Sequence, residues 1–323
     1  FGGSSLADAE QFKKVGSIIK SDTSRRFVVP SAPGKRFSGD TKVTDMLYSC
    51  YNTAQNGGDF DSVFAIVKDR FDSIIAGLGL SLDLSAEYEH IKWAILHHAG
   101  RDYAASRGEY LNGMILAEYL GYDFIDPADY IKFCDDGSFD AETTNGILSE
   151  EMKKHENGVI PGFYGSHPNG TIRTFSRGGS DITGSIVARA VYADLYENWT
   201  DVNGFLMADP RIVSGAKTIK YITYRELREL SYMGATVLHE DAIFPVRFAG
   251  IPVNIRNTND VSDPGTMIVS HTDSYDSDDI ITGVAGKKGF CVITIEKALM
   301  NSEKGFGRKV LEAIEKENLS FEH

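Results

Sequence analysis

Cysteine is scarce in this chain, with 3 cysteines among 323 residues. Cys50, Cys134 and Cys291 are odd in number and far apart, and none belongs to a Cys-x-x-Cys or paired Cys/His spacing. This pattern supports neither a disulfide framework nor a structural zinc site. It is typical of a reducing compartment, so we expect a cytoplasmic protein.

Long apolar runs and excess positive charge are also missing. No run of about 18 apolar residues is present, so we expect no membrane span. Lys and Arg number 33 against 46 Asp and Glu, which gives a net charge of −13 and a pI near 5.1. This balance argues against nucleic acid or an anionic membrane surface as a partner. No signal peptide is visible, and the chain begins at Phe1 without Met, so we expect that the natural N-terminus lies upstream.

What is present is the composition of a globular protein, with 42% apolar and 24% charged residues. The length predicts two domains, or one large and one small domain. A polar, acidic run at residues 271–279 is the candidate linker. Beyond it we expect a strand at residues 290–296 and a helix at residues 303–318, a unit too small to bury a core alone.

Short apolar segments alternate with amphipathic ones over the first two-thirds of the chain. This alternation predicts an α/β fold with a mainly parallel open sheet and helices on both faces. The predicted strands are residues 26–32, 122–126, 158–162, 195–200 and 252–257. The predicted helices are residues 6–21, 42–56, 60–77, 85–106, 109–120, 181–193, 223–233 and 238–249. Asn169-Gly170 predicts a tight hairpin turn.

Two segments near the start of the chain could contact an anion. Gly2-Gly3-Ser4 precedes the first helix, where glycines allow close approach and free N–H groups favour negative charge. A plain turn is the alternative. Residues 31–35 (Ser-Ala-Pro-Gly-Lys) follow a predicted strand, which is where α/β sheets bind ligands. Thr44 and Asp45 come later in the same connection and, in the alternative, only cap the next helix.

An acidic residue and an arginine mark two further candidates. Arg107-Gly108-Glu109 is predicted at a helix start, where Glu109 could receive a ligand ammonium group or simply complement the helix dipole. Residues 176–181 (Ser-Arg-Gly-Gly-Ser-Asp) form a glycine-rich helix entrance. Arg177 could bind a carboxylate or phosphate in bidentate fashion, and the turn supplies backbone donors. Asp181 could alternatively be only a first-turn acid.

The last candidate follows the strand that ends at Thr200. Thr200-Asp201, together with Arg211 downstream, could bind a nucleotide. In the alternative, these residues form an Asx turn and a surface ion pair. The sequence shows no arrangement of Ser, His and Asp that is typical of a hydrolase. The adjacent pair His97-His98 points to two sides of a helix, so the sequence offers no metal ligands.

Taken in order, these segments resemble the aspartate kinase family of the amino acid kinase superfamily. That family opens with Lys-Phe-Gly-Gly-Thr-Ser, which Phe1-Gly2-Gly3-Ser4-Ser5 matches with Ser4 for Thr. The match continues through Ser31–Lys35, Gly108-Glu109, Arg177–Asp181, Thr200-Asp201-Val202, Asp209-Pro210-Arg211, Gly234-Ala235, Val237-Leu238-His239, Arg256-Asn257-Thr258 and Pro264-Gly265-Thr266. It covers nearly the whole chain, and residues 293–306 resemble the start of the regulatory ACT region.

The resemblance implies phosphorylation of the side-chain carboxylate of L-aspartate, with ATP and Mg²⁺ as cofactors. It also implies feedback by lysine or threonine and a homodimer or higher homo-oligomer. Residues 1–272 would form the amino acid kinase catalytic domain and residues 279–323 a partial ACT-like domain. A carboxylate acceptor with a pKa of about 3.9 is already ionised at neutral pH. No catalytic base is needed, and the protein has only to position the reactants and neutralise charge.

The resemblance further implies a role for each motif residue. The aspartate would be held by Ser31, Thr44, Glu109, Arg177, Gly178, Gly179 and Ser180. Within this set, Arg177 would pair with a substrate carboxylate and Glu109 with the ammonium group. The nucleotide would be contacted by Gly2, Gly3, Ser4, Thr200, Asp201, Leu206, Arg211, Thr236 and Val237. Asp181 and Arg177 would act at the phosphoryl-transfer centre, and the effector pocket would include Met300, Glu303, Gly305 and Phe306.

Three positions depart from the family pattern. The family's opening lysine would precede Phe1, Thr236 replaces a lysine common in relatives, and Leu206 replaces a tyrosine. A non-catalytic amino-acid sensor on the same fold is therefore the alternative to an active kinase. The ordered motifs disfavour a glutamate or acetylglutamate kinase.

Overall fold

The computed structural model describes residues 1–176, 178–232, 238, 240–272, 281–286, 288–289 and 291–319. The predicted site residues Arg177, Thr236 and Val237 lie outside these residues, as does most of the predicted linker. The chain divides into two compact units, Phe1–Gly286 and Lys287–His323. This division follows Gly286, a few residues beyond the predicted linker.

The first unit contains most of the secondary structure. Its helices are α1 (Ala9–Lys20), α2 (Val43–Gln55), α3 (Phe60–Leu78), α4 (Ser85–Leu96), α5 (Arg101–Leu120), α6 (Pro127–Tyr130), α7 (Ala141–Met152), α8 (Gly179–Ala190), α9 (Tyr224–Tyr232) and α10 (Phe244–Ala249). Its strands are β1 (Phe27–Val28), β2 (Asp123–Phe124), β3 (Gly158–Val159), β4 (Tyr164–Ser166), β5 (Ile172–Thr174), β6 (Tyr196–Thr200), β7 (Tyr221–Thr223), β8 (Val253–Asn257) and β9 (Thr266–Val269). Short 3-10 turns occupy Gly3–Leu6 and Glu240–Ile243.

Parallel pairing dominates the sheets of this unit. Strand β3 lies between β1 and β2 and is parallel to both. In the four-stranded sheet, with order β6-β8-β9-β7, β6 is parallel to β8 and β7 to β9, while β8 and β9 are antiparallel. Strands β4 and β5 form an antiparallel hairpin around the predicted Asn169-Gly170 turn. The predicted α/β fold with a mainly parallel sheet is therefore confirmed.

Helices cover both faces of the β1-β3-β2 sheet. Val28 and Val159 belong to a core that includes residues of α1 to α5. Their neighbours Phe27, Val29 and Ile160 pack in a second core with residues of α7 and α8. Because successive strand residues point to opposite faces, both faces of this parallel sheet are buried. The chain that leaves the strand ends therefore emerges between two helical layers.

The break between α4 and α5 differs from the predicted one. The sequence predicts a helix break near residues 107–108, but the structure has it at residues 97–100. His98 and Gly100 form this turn with φ values of 65° and 97°, in the left-handed region that favours glycine. Glu109 therefore lies inside α5 rather than at a helix start. The alternative role for Glu109 is to complement the dipole at a helix N-terminus. This effect acts only within the first turn, so it does not apply to Glu109.

Other predicted elements also differ from the structure. The strands of the first sheet are shorter than predicted, and α7, β7 and β9 are absent from the sequence-based prediction. Residues 291–296, predicted as a strand, carry no strand in the described part of the second unit. A strand requires a hydrogen-bonded neighbour, and the local apolar pattern does not supply one.

A buried ion pair holds the segment that follows β1. Arg70 of α3 donates from Nη2 to Oδ2 of Asp40 at 2.6 Å and from Nη1 to the Gly34 carbonyl at 3.1 Å. Arg36 donates to the same carboxylate from a more exposed position. The hydrogen bonds from Arg36, helped by the charge of Arg70, hold the pKa of Asp40 well below its usual range. The connection to α2 is thereby fixed onto α3.

We expect Arg70→Lys to lower the free energy of unfolding by roughly 1–3 kcal/mol, because an ammonium group cannot bond Asp40 and the Gly34 carbonyl in one planar fork. Arg36→Lys is the matched control on the exposed side of Asp40, and its expected cost is below about 1 kcal/mol. Urea unfolding measures both. Equal losses for the two variants would contradict the account.

The described part of the second unit contains a 3-10 turn at Met300–Ser302 and the helix α11 (Phe306–Lys316). The helix agrees with the prediction for residues 303–318. Ile293, Ile295, Val310 and Ile314 line an apolar groove within this unit. Within the described parts of both units, no helix has the length and apolar character to cross a membrane.

Candidate active site

The Gly2-Gly3 turn lies between the ends of two strands. The N–H of Gly2 donates to the carbonyl of Trp199 in β6 at 2.9 Å, and the N–H of Gly34 donates to the carbonyl of Gly3 at 2.8 Å. A Cβ on Gly3 would lie 2.7 Å from the carbonyl oxygen of Ala32. A Cβ on Gly34 would lie 2.7 Å from the carbonyl carbon of Gly3. The two backbone segments can approach this closely only because both positions are glycine.

A chain of hydroxyl groups ties this turn to the ends of β6 and β8. The hydroxyls of Ser5 and Thr258 are 2.5 Å apart, and Thr258 donates to the carbonyl of Thr200 at 2.7 Å. The N–H of Thr258 donates to the same carbonyl at 2.9 Å. Thr200 is therefore fixed close to the glycine turn, and the exposed Asp201 follows it.

The segment after β1 connects the other predicted substrate residues. The N–H of Ser31 donates to the carbonyl of Phe1 at 3.0 Å, and the N–H of Gly162 donates to the carbonyl of Pro30 at 3.0 Å. Gly162 packs directly on Ser180, since a Cβ there would lie 2.3 Å from Ser180 Oγ. Ser31 and Ser180 are thus brought together through Pro30 and Gly162, although 149 positions separate them in the sequence.

The N-terminus of α8 completes this side of the site. Gly178 is the N-cap residue with φ of 75°, and Gly179 follows with φ of 44°. Among the described residues, no side chain caps this helix. Its first N–H groups therefore face a site where an anion can accept them.

Helix α2 begins at the same segment. The N–H of Val43 donates to the carbonyl of Pro33 at 3.1 Å. Lys42 occupies the N-cap position and makes no side-chain capping bond. Neither Thr44 nor Asp45 caps α2, so the alternative role for these residues is wrong. Thr44 is half-buried in the first turn beside the 31–34 segment.

Glu109 reaches this segment from the middle of α5. It is 5% exposed, and its carboxylate accepts a hydrogen bond from the N–H of Ala32. Its Oε2 atom is buried without a hydrogen-bond partner. Burial raises the pKa of Glu109 to about 8, against the opposing effects of the Ala32 bond and the Arg107 charge. A ligand cation would supply the missing partner and favour the ionised carboxylate.

The cation nearest to Glu109 in sequence is held by aromatic rings. The guanidinium of Arg107 lies 4.5 Å from the ring centre of Tyr103, 4.4 Å from that of Tyr110 and 5.2 Å from that of Tyr164. Stacking of this kind holds an arginine without requiring a carboxylate. Arg107 therefore acts on Glu109 through its charge and leaves the Oε2 atom of Glu109 unpaired.

Asp181 is positioned by β6. Asn198 donates from Nδ2 to Oδ1 of Asp181 at 2.8 Å, and the hydroxyl of Tyr196 donates to its main-chain carbonyl at 3.2 Å. Burial raises the pKa of Asp181, and the Asn198 bond opposes this effect. Asn198 is two residues before Thr200 on β6, so this strand anchors the carboxylate of Asp181, which belongs to α8, close to Thr200.

Two residues that are predicted to contact the nucleotide, Arg211 and Leu206, bond locally to partners outside this cluster. The side chain of Arg211 is 86% exposed and pairs with Asp209 at 2.6 Å, which is the surface ion pair considered as the alternative. Leu206 forms a β-bridge with Thr218. Contact of either residue with a nucleotide stays a prediction.

The four predicted effector residues belong to the second unit. Met300 begins the 3-10 turn, Gly305 is the N-cap of α11, and Phe306 is the first residue of that helix. Glu303 pairs with Lys309 at 2.7 Å. Their role in binding an effector stays a prediction.

Three residues that position parts of the site are not predicted from the sequence. Asn112 donates from Nδ2 to the Ser31 carbonyl at 2.7 Å, Asn198 orients Asp181, and Arg70 fixes the loop after Gly34. Each is a common residue type inside a regular element, and no local pattern distinguishes it. Only the three-dimensional packing shows what its side chain contacts.

Comparisons with known proteins show the family to which the chain belongs. The amino acid kinase family model matches residues 1–257. Aspartokinase 3 of Bacillus subtilis (strain 168) is 39% identical over 338 residues, covering 100% of this chain and 74% of that protein. The crystal structure of Clostridium acetobutylicum aspartate kinase matches with a TM-score of 0.93 and 57% identity, over 100% of this chain and 74% of that one.

A further match is the crystal structure of E. coli aspartokinase III in complex with aspartate and ADP. It has a TM-score of 0.73 and 26% identity, and the match covers 84% of this chain and 64% of that one. The chain therefore belongs to the amino acid kinase family and, within it, to the aspartokinases.

Proposed function

We propose that this protein is an aspartate kinase, which transfers the γ-phosphoryl group of ATP to the side-chain carboxylate of L-aspartate. The products are 4-phospho-L-aspartate and ADP. The observation that carries the proposal is the convergence of the glycine turn, Ser31, Glu109 and Ser180 on one segment at the end of β1. Relatives named as aspartate kinases, one of them solved with aspartate and ADP, support the same assignment.

The chemistry of the site suits a carboxylate acceptor. Aspartate carries two carboxylates and one ammonium group, and the site offers helix N–H groups at α8 for an anion and a buried, unpaired carboxylate oxygen at Glu109. A carboxylate nucleophile needs no proton removed, so the transfer depends on positioning and on neutralising phosphoryl charge. Ser31, Thr44 and the Gly178–Ser180 turn would hold the substrate, and Gly2, Gly3 and Thr200 the nucleotide.

Magnesium is proposed as the companion of ATP. In the described part of the chain, no group of three or more His, Cys, Asp or Glu side chains could hold a metal. In phosphoryl-transfer sites Mg²⁺ takes most ligands from phosphates and water, with one or two carboxylates. The half-buried carboxylate of Asp181 fits that need. When bound, the ion would neutralise charge on the phosphates.

Regulation is proposed to act through the second unit, with lysine or threonine as the feedback amino acid and a homo-oligomer as the working form. Helix α11 and the apolar groove of this unit are compatible with a partial ACT-like domain. A structure of E. coli aspartokinase III has been solved in complex with lysine and aspartate.

The test is ADP release by the full-length protein with MgATP, measured by a coupled assay. We expect release on adding aspartate and much less on adding glutamate. Thermal-shift titration with ATP, aspartate, lysine and threonine then separates an enzyme from an amino-acid sensor. Stabilisation by lysine or threonine with none by ATP, together with no aspartate-dependent ADP release, would contradict the proposal.

A further inference from the structure

Three buried side-chain oxygens of α5 have no hydrogen-bond partner among the residues that the structure describes: the hydroxyl of Tyr103, Oε2 of Glu109 and Oδ1 of Asn112. The last two can only accept hydrogen bonds when Glu109 is ionised. Glu109 is 5% exposed and Asn112 is fully buried. Residues three apart in a helix lie on the same face, with Cβ atoms about 5–6 Å apart. The two acceptors therefore belong to one small region, and an unpaired acceptor in such a place carries a free-energy cost.

The other polar atom of each side chain is already anchored on the loop after β1. Glu109 accepts from the N–H of Ala32, and Asn112 donates from Nδ2 to the carbonyl of Ser31 at 2.7 Å. Because Ser31 and Ala32 are consecutive, the side chains of Glu109 and Asn112 bond to adjacent residues of the loop. Their orientations are thereby fixed, and the unpaired oxygens cannot turn away to find other partners.

The missing partner must be a compact group that donates at least two hydrogens. Two acceptors and no donor exclude a carboxylate or a phosphate as the occupant. The ammonium group of an amino acid has three N–H donors on one atom and a positive charge that favours the ionised form of Glu109. A carboxylate and an amide oxygen together match such a group.

We propose that Asn112 is a specificity-determining residue that receives the α-ammonium group of the amino-acid substrate together with Glu109. The inference rests on the proposed function and deepens it. Glu109 provides the charge, and Asn112 provides a second, directional acceptor. A dicarboxylate without an amino group leaves both acceptors unpaired in a buried place, and sites of this kind reject such analogues strongly.

The experiment compares aspartate with succinate, which lacks only the amino group. In Asn112→Leu, the KM for aspartate is expected to rise roughly 10–100-fold, with the KM for ATP unchanged. The inhibition constant of succinate, competing with aspartate, is expected to stay within about three-fold of the wild-type value or to fall, because succinate makes no bond to the acceptor and leaves it unpaired in the wild type. Leu111→Ile, at the neighbouring buried position, is the matched control for packing.

A merely structural role for Asn112, through its bond to Ser31, gives different results. The KM for aspartate, the KM for ATP and the succinate constant would then worsen together, and this outcome would overturn the inference. An aspartate KM within three-fold of wild type would also overturn it. If Asn112→Leu does not fold, Asn112→Asp decides, since it keeps the acceptor and loses the donor to Ser31. Retained preference for aspartate over succinate supports the inference, and loss of that preference overturns it.

Failure of the proposed function looks different from failure of this inference. Wild-type protein that releases no ADP with aspartate contradicts the function itself. Active wild-type protein whose Asn112→Leu variant behaves like wild type contradicts only the role of Asn112.

Discussion

Replacing Glu109 by glutamine is expected to raise the KM for aspartate by roughly 100-fold, with little change in the KM for ATP. The substitution keeps the size of the side chain and the acceptor for the Ala32 N–H. It removes the negative charge that pairs with the substrate ammonium group and places an amide where an acceptor is needed. The measurement is steady-state kinetics with each substrate varied in turn.

The same substitution is expected to make the ligand-free protein more stable. The pKa of Glu109 is raised to about 8 in the folded chain, above its unfolded value. The native state therefore binds more protons than the unfolded state between about pH 4.5 and 8, and stability is lost as pH rises through that window, by about 1.4 kcal/mol per pH unit for a single group. Glutamine does not titrate, so we expect Glu109→Gln to be more stable than wild type by roughly 2–4 kcal/mol at pH 7–8.

The pH dependence supplies a second measure of this substitution. Aspartate binding requires ionised Glu109, so the wild-type KM for aspartate is expected to fall about ten-fold per pH unit as pH rises towards 8, and then to level. The variant should lack this slope. Glu118→Gln, an exposed site on the same helix, is the matched control and should behave like wild type. A variant that binds aspartate normally, or that is less stable than wild type, would contradict the assigned role.

Replacing Asp181 by asparagine is expected to lower kcat by roughly 100–1000-fold, with both KM values changed only a few-fold. The variant keeps the shape of the side chain and an oxygen that can accept the Asn198 bond. It removes the carboxylate that acts at the phosphoryl-transfer centre, where charge develops only as the reaction proceeds. A loss confined to kcat is the signature of an interaction made in the transition state.

The control for this second substitution is Asp194→Asn, an exposed aspartate shortly after α8. We expect it to leave kcat unchanged. Because burial raises the pKa of Asp181, its removal should not destabilise the fold, and thermal melting of Asp181→Asn should match or exceed wild type. A kcat within five-fold of wild type would show that Asp181 does not act at the transfer centre.

The sequence predicts the alternation of strands and helices well because burial on both faces leaves a clear apolar pattern. It predicts the hairpin around Asn169-Gly170 because this dipeptide favours a tight turn. It misplaces the break before α5, since apolar residues recur at helical spacing on both sides of residues 97–100. The left-handed turn at His98 and Gly100 is a backbone feature that periodicity does not show.

Part of the candidate site can be predicted from the sequence. Motifs that lie far apart in the chain, such as those of Ser31 and Ser180, are linked through Pro30 and Gly162 near one strand end, as expected for an α/β sheet. The role of Asn112 could not be predicted, because a helical asparagine has no local signature and its unpaired oxygen exists only after packing. Arg211 is the opposite case. It belongs to a predicted motif, but its side chain is exposed and pairs with Asp209, and this ion pair gives no sign of a ligand.

Trapping of the phosphorylated product tests the central claim most directly. The full-length protein is incubated with MgATP, aspartate and hydroxylamine, which converts an acyl phosphate into a stable hydroxamate, and the product is identified by mass spectrometry. We expect aspartate 4-hydroxamate in an amount equal to the ADP released, and a strongly reduced amount with Glu109→Gln at the same aspartate concentration. ADP release without any hydroxamate, or equal hydroxamate from wild type and Glu109→Gln at aspartate concentrations below the wild-type KM, would contradict this claim.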